Sequence, residues 1–243
     1  MEEKLTILDL IKNNTLSTEM AALLWEAASE KTSFLTSSLY NNAGKSTLSK
    51  AVLNLRDPNI PIHYVSDNQK ITEKLIKMEK AGGYLVVAEF NPVEAPGYIW
   101  GEKIQNVFEI VKKGYSLQAC IHAKNAEDAI TKLTKENGVS DTNASLIKLV
   151  LFIEMYGLTP GSAKRRLSQI YEVHYVENGK PMGHNLYEWD ENTDTFVKTS
   201  DPHLFVSNED NIIKRSQILT NYVNLGKTSP DDLSMAMADF NQK

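Results

Sequence analysis

Cysteine is nearly absent. Cys120 is the only one in 243 residues, so no internal disulfide can form and zinc sites built on cysteine are excluded. Set in the apolar run 116–121, it reads as a small core side chain. Long apolar runs are missing too. No stretch approaches the ~20 residues that cross a bilayer, and residues 1–4 are followed by no signal-peptide hydrophobic region. The chain is therefore of cytosolic type. A surplus of positive charge is also lacking: 26 Lys and Arg stand against 31 Asp and Glu, a net charge of -5. Nothing in that balance argues for nucleic acid or an anionic membrane as partner. Internal repeats, low-complexity tracts and linker-like segments are absent as well, and the length suits one substantial core.

What is present begins at residues 39–47, Leu-Tyr-Asn-Asn-Ala-Gly-Lys-Ser-Thr. The Gly44-Lys45-Ser46 ending is that of a phosphate-binding loop. Gly44 lets the backbone approach phosphates, Lys45 would reach the β- and γ-phosphates of a nucleotide such as ATP, and Ser46 would offer its hydroxyl to Mg²⁺. The full pattern asks for a glycine five positions before Gly44, where this chain has Leu39. Asn41 or Asn42 can supply a left-handed residue in its place at modest cost. Residues 42–47, which are Asn42, Ala43, Gly44, Lys45, Ser46 and Thr47, are the candidate nucleotide contacts. The alternative is an ordinary surface turn that contains Gly-Lys-Ser.

The flanking pattern favours a working loop. Residues 31–38 read as a buried strand, and the apolar spacing of 45–53 predicts a helix. Ser17 is a plausible helix cap before an amphipathic helix over 21–28. Strands are expected at 62–66, 83–90 and 116–121, and helices at 68–80, 105–113 and 126–135. Such alternation predicts an α/β fold with a mainly parallel sheet and helices on both faces. Segments 146–155, 169–176 and 184–189 read as strands joined by polar turns, an antiparallel extension of the sheet edge. Helices at 207–224 and 229–240 close the chain. Trp25, Trp100 and Trp189 are assigned to packing, and His63, His174, His184 and His203 have no ligand-like spacing and receive no role.

Five segments, in order, resemble the ATPases of type II and type IV secretion, pili and archaeal flagella. They are 8–25, the phosphate loop, 86–95 (Val-Val-Ala-Glu-Phe-Asn-Pro-Val-Glu-Ala), 116–129 and the pair 165–173 with 186–196. The resemblance implies a RecA-like P-loop domain spanning 1–243, the motor module of such an ATPase without its N-terminal domain. It also implies ATP and Mg²⁺ as cofactors. Glu89 falls at the Walker B glutamate, where it would share the metal with Ser46, through water in its own case. His122 falls in the histidine box, where it would sense the γ-phosphate. Implied partners are copies of itself or paralogous ATPase subunits and a membrane platform protein, and the implied location is cytoplasmic, peripheral at the inner face of the membrane.

The departures bear on hydrolysis. At 66–67, where the family carries an acidic pair whose glutamate activates water, the chain has Ser66 and Asp67. An arginine two positions after the Walker B glutamate is replaced by Asn91. Losing a general base costs ~10²–10⁴ in rate, and a charge-neutralising arginine can be worth ~10³. Nucleotide binding survives both losses. The sequence therefore favours a diverged nucleotide-binding member with weak or absent hydrolysis, in assembly or regulation. The alternatives are an active motor ATPase and a scaffold that binds no nucleotide. A small-molecule kinase is disfavoured, because arginine is confined to Arg56, Arg165, Arg166 and Arg215. Ser66→Glu is expected to raise the steady-state ATPase rate by ~10² or more. A fast wild-type rate, unchanged in the variant, would contradict the missing-base reading.

Overall fold

The structure of the protein is a computed structural model that describes residues 5–65, 82–157, 163–205 and 208–241. The expected helix at 68–80 lies outside the described residues. A short helix opens the chain, α1 (Ile7–Lys12), capped reciprocally by Thr6 and Asp9. Ser17 then accepts from the Met20 amide and starts α2 (Thr18–Ser29). The sequence suggested an amphipathic α2, but every residue from 20 to 28 is buried. Sheet lies on one side of it and a C-terminal helix on the other, so even Glu26 is enclosed.

Next comes β1 (Phe34–Ser37), buried throughout, then α3 (Lys45–Leu53), with the expected bounds. Its successors are β2 (Ile62–Val65), β3 (Tyr84–Phe90), β4 (Tyr98–Ile99), α4 (Glu102–Val111), β5 (Ser116–Ile121) and α5 (Ala126–Thr131). A π-helical turn over Lys132–Glu136 continues α5, and α6 (Asp141–Ala144) leads into β6 (Leu149–Tyr156). Long strands β7 (Lys164–Glu177) and β8 (Lys180–Asp190), short β9 (Thr195–Lys198), and helices α7 (Glu209–Asn224) and α8 (Pro230–Asn241) complete it.

Among the described residues all strands join one sheet in the order β2-β3-β5-β1-β6-β7-β8-β9, with β4 on β3. From β2 to β6 the pairing is parallel, and from β6 to β9 antiparallel. Residues 146–155 had been grouped with the antiparallel strands; β6 instead runs parallel to β1 and turns the sheet antiparallel only at β7. Central β1 has a helical layer on each face, which explains its uninterrupted burial. One core lies under α1, α2, α3, α7 and α8 and takes Phe34; the other lies under α4 to α6 and takes Leu35. At the β7–β8 turn Asn178 (φ 53°) and Gly179 (φ 76°) are both left-handed, the conformation of a tight two-residue hairpin. Four short elements, α1, β4, α6 and β9, escape the sequence reading.

The tryptophans pack as expected. Trp25 stacks obliquely on Phe240 at 5.4 Å, Trp100 packs on the second core, and Trp189 meets Tyr156 at 4.4 Å. Under the first core Glu26 is ion-paired with Arg215 of α7, whose guanidinium also lies 4.2 Å from the Phe240 ring centre. Burial lowers the Arg215 pKa to about 10. Removing one member of such a pair strands the other charge. Glu26→Ala should therefore lower the urea-derived unfolding free energy by ~3–5 kcal/mol, while Glu26→Leu with Arg215→Met should cost far less. A double variant as unstable as the single would sink this account.

Candidate functional site

The strand order brings the chemistry together. Adjacent β3, β5 and β1 end side by side, with Phe90 paired to Ile121 and Ser37 to Ile121. Glu89 is thus one residue from the end of its strand, His122 follows its strand, and Lys45 opens the helix after the third. Ser37 Oγ donates to the Ala123 carbonyl at 2.6 Å and ties two of these ends together. In open parallel sheets the crevice beyond the carboxyl ends is where ligands bind.

The loop between β1 and α3 curls without the missing first glycine. Asn42 takes the left-handed conformation (φ 61°) and Gly44 does so again (φ 101°) as the N-cap of α3. Of the two asparagines considered, Asn42 is the one that turns. Gly44 provides no side-chain cap, so the first amides of α3 keep their hydrogens for an anion, reinforced by the helix dipole. Leu39 and Tyr40 are exposed at 52% and 60%, which places their bulk in solvent rather than in the phosphate position. A cleft of about 690 Å³ is lined by residues 41–48, Glu89, Tyr98, Lys164 and Arg165. Buried Ala43 offers backbone only, Thr47 is half-buried, and Ser46 is exposed toward solvent.

Lys45 is the centre of the site. Its side chain is 7% exposed, and Nζ lies 3.8 Å from Glu89 Oε2 and 3.2 Å from His122 Nε2. Burial holds its pKa below the ordinary lysine range, against the raising effect of Glu89. His122 Nε2 lies 2.8 Å from Glu89 Oε1. A carboxylate only accepts, so this nitrogen carries the proton, which leaves Nδ1, 3.5 Å from Lys45 Nζ, as the acceptor. Asn91 Nδ2 donates to the same Glu89 oxygen at 2.9 Å. The Tyr98 phenol is pushed up by the negative charge of Glu89, then by burial and a hydrogen bond to that carboxylate. Lys45, Glu89 and His122 are thus brought into one cluster. Asp67, the remaining catalytic candidate, and Ser66 lie outside the described residues.

Hydroxyl and carboxylate oxygens are the donors a hard cation prefers. Ser46 and Glu89 line the same cleft and fit Mg²⁺ on that chemistry, Ser46 directly and Glu89 through water. Cys120 is no nucleophile: burial pushes its thiol up, and Ser49 Oγ sits 3.7 Å from its sulfur.

Arg165 was missed as a site residue. Its Nη2 donates to the Asn42 carbonyl at 3.2 Å, and a Cβ at Gly44 would come 3.0 Å from its Cδ. Strand β7 delivers it from 123 residues away in sequence, and the one local signal was its rarity as an arginine. Neighbouring Arg166 turns inward and clamps Asp194 with bonds of 2.7 and 2.8 Å. His63 packs edge-on against Tyr115. The other three histidines that received no role, His174, His184 and His203, converge elsewhere.

No protein-family model and no curated protein matches the chain. Among solved structures, the VirB11 ATPase of the Brucella suis type IV secretion system is similar over 71% of this chain and 57% of that one, at 13% identity and a TM-score of 0.48. The Legionella pneumophila ATPase DotB is similar over 93% and 66%, at 10% identity and a TM-score of 0.46. The Yersinia pseudotuberculosis DotB gives 98%, 63%, 9% and 0.44 for the same quantities. The chain spans less than two thirds of the length of each of these proteins.

The loop geometry makes opposite predictions for two neighbours. Asn42→Gly should leave affinity for inorganic tripolyphosphate unchanged or slightly better, because glycine adopts φ 61° freely. Gly44→Ala must strain at φ 101° and press on Arg165; at ~1–2 kcal/mol for a left-handed alanine, affinity should fall ~10-fold. Equal effects in a calorimetric titration would argue against this loop as the anion cradle.

Proposed function

We propose that this chain is a single RecA-like nucleotide-binding domain of the secretion-ATPase type, which binds ATP with Mg²⁺ and hydrolyses it slowly or not at all. Its role is in assembly or regulation of a pilus or secretion machine. One observation carries the reading. A buried lysine stands at the amino end of a helix entered through two left-handed residues, with a buried carboxylate beside it and a cleft in front. An ammonium held away from water gains most when a polyphosphate arrives to neutralise it. Glu89 and His122 hold it at the cleft floor meanwhile, and Asn91 holds Glu89.

Weak turnover rests on what surrounds that lysine. Asn91 engages Glu89 from the position where the resemblance implied an arginine, so Glu89 Oε1 already accepts from both Asn91 and His122. Such a carboxylate suits holding the hydration shell of Mg²⁺ better than accepting a proton from attacking water. A second reading, an active motor, draws support from Lys164 and Arg165, which bring cationic side chains to the cleft from the chain itself. In either reading the assembly is a homo-oligomer or a mixed ring with paralogous subunits, cytoplasmic and peripheral to a membrane platform.

Calorimetric titration of the full chain with Mg-ATP tests the proposal. Micromolar binding is expected, with Lys45→Ala losing ~10- to 100-fold, given 1.5–3 kcal/mol for a hydrogen bond to a charged group. Binding that Lys45→Ala leaves intact removes the phosphate-loop claim, and no binding by the wild-type chain leaves the scaffold reading. A rapid rate of phosphate release would favour the motor.

A further inference from the structure

Far from the cleft, three histidines that sequence spacing leaves unrelated meet in space. His174 lies on β7, His184 on β8, and His203 in the connection after β9. Their ring centres are 4.7 to 4.9 Å apart, and one nitrogen from each lies within 4.8 Å of the other two. Each half-exposed or exposed ring leaves the cluster open to solvent. The register fixes where this is. Glu172, beside His174, pairs with Leu149, which pairs with Phe34 at the start of β1. The phosphate loop leaves the other end of β1. The cluster and the cleft occupy opposite ends of the sheet.

We propose that His174, His184 and His203 form a binding site for a divalent transition-metal ion of the zinc class, with the fourth position open to water. Three observations besides proximity point there. First, His174 Nε2 is buried and has no hydrogen-bond partner, an unfavourable state that a coordinating ion would relieve. Second, the geometry is prepared in the manner of metal sites. His184 Nε2 lies 3.3 Å from the Asp201 carbonyl; a carbonyl only accepts, so Nε2 holds the proton and Nδ1 keeps the lone pair, as the outer partner of a ligating histidine arranges. Third, the fully buried Glu172 carboxylate accepts the His203 and Leu204 amides at 3.0 and 2.9 Å. It fixes the connection that delivers His203, and its Oε1 lies 3.6 Å from His174 Nε2. A carboxylate this close beneath the rings favours a cation among them.

The backbone has been shaped for the same purpose. Val173 pairs with Gly183 and Tyr175 with Met182, so His174 is the extra residue of a bulge, a device that re-aims a side chain. A Cβ at Gly183 would lie 1.9 Å from the Glu172 carbonyl, so the bulge needs glycine opposite it. A tetrahedral ion with bonds of ~2.0–2.1 Å sets ligand nitrogens ~3.4 Å apart. The observed nitrogens, within 4.8 Å of one another, close to that spacing as the ion binds. Imidazole sets of this kind suit Zn²⁺, Co²⁺, Ni²⁺ and Cu²⁺ rather than Mg²⁺ or Ca²⁺.

The full chain, without a polyhistidine tag and stripped with chelator, is titrated with Co²⁺ and followed by its visible ligand-field bands, then with Zn²⁺ in competition. One ion per chain with the intense bands of tetrahedral nitrogen coordination is expected. His203→Ala, at an exposed position that the fold does not need, and His184→Ala should each weaken binding ~100-fold, while Lys45→Ala leaves it unchanged. Absence of the cobalt bands from the wild-type chain, or binding that survives both histidine variants, overturns the proposal. Loss of nucleotide binding with metal binding intact separates this site from the phosphate loop.

Discussion

The Lys45 ammonium, enclosed between Glu89 and His122, is the interaction on which the candidate site depends. A buried cation without partners would be neutralised or expelled, so Glu89 and His122 must stand where Lys45 can reach them. They do because β3, β5 and β1 are neighbours in a parallel sheet, with ends level and at one edge. Inserting another strand into this trio would separate the three side chains. The fold is therefore a condition for the charge as much as the charge is a feature of the fold.

Buried carboxylates recur with distinct solutions. Glu26 faces Arg215 across two packed helices, Glu89 is held by a lysine, an imidazole and an amide, and Glu172 takes two backbone amides. The first joins the C-terminal helices to the core, the second holds the Lys45 ammonium at the cleft, and the third anchors a connection. In each case desolvation is offset by geometry rather than by solvent. These pairings also locate the chemistry, because a buried charge with a flexible partner marks a place where a ligand can exchange with that partner.

Two ends of one sheet carry unlike donor sets. At the carboxyl ends lie amides, a hydroxyl, a carboxylate and cations, a set for phosphate oxygens and a hard metal. At the opposite end lie imidazoles over a carboxylate, a set for a softer ion. The antiparallel hairpin β7–β8 connects them, since Arg165 near one end of β7 touches the phosphate loop and His174 lies near the other.

Much of the fold was legible before any coordinates. The bounds of α3 and β5, the Ser17 cap, the parallel core and the antiparallel extension follow from local apolar periodicity and capping chemistry, which need no knowledge of partners. The curl of the loop was legible as well: asparagine tolerates the left-handed turn that Asn42 adopts, and Gly44 opens the helix that the spacing of 45–53 predicts. Glu89 and His122 emerged only through resemblance, because a glutamate or histidine at a strand end looks like any other. What the tertiary structure alone decided was adjacency. Burial of α2 on all sides, the parallel pairing of β6 with β1, Arg165 at the loop and the meeting of His174, His184 and His203 all depend on segments far apart in sequence. The physical reason is that periodicity reports which face of an element is apolar, whereas strand order and register decide which faces and which ends come to touch.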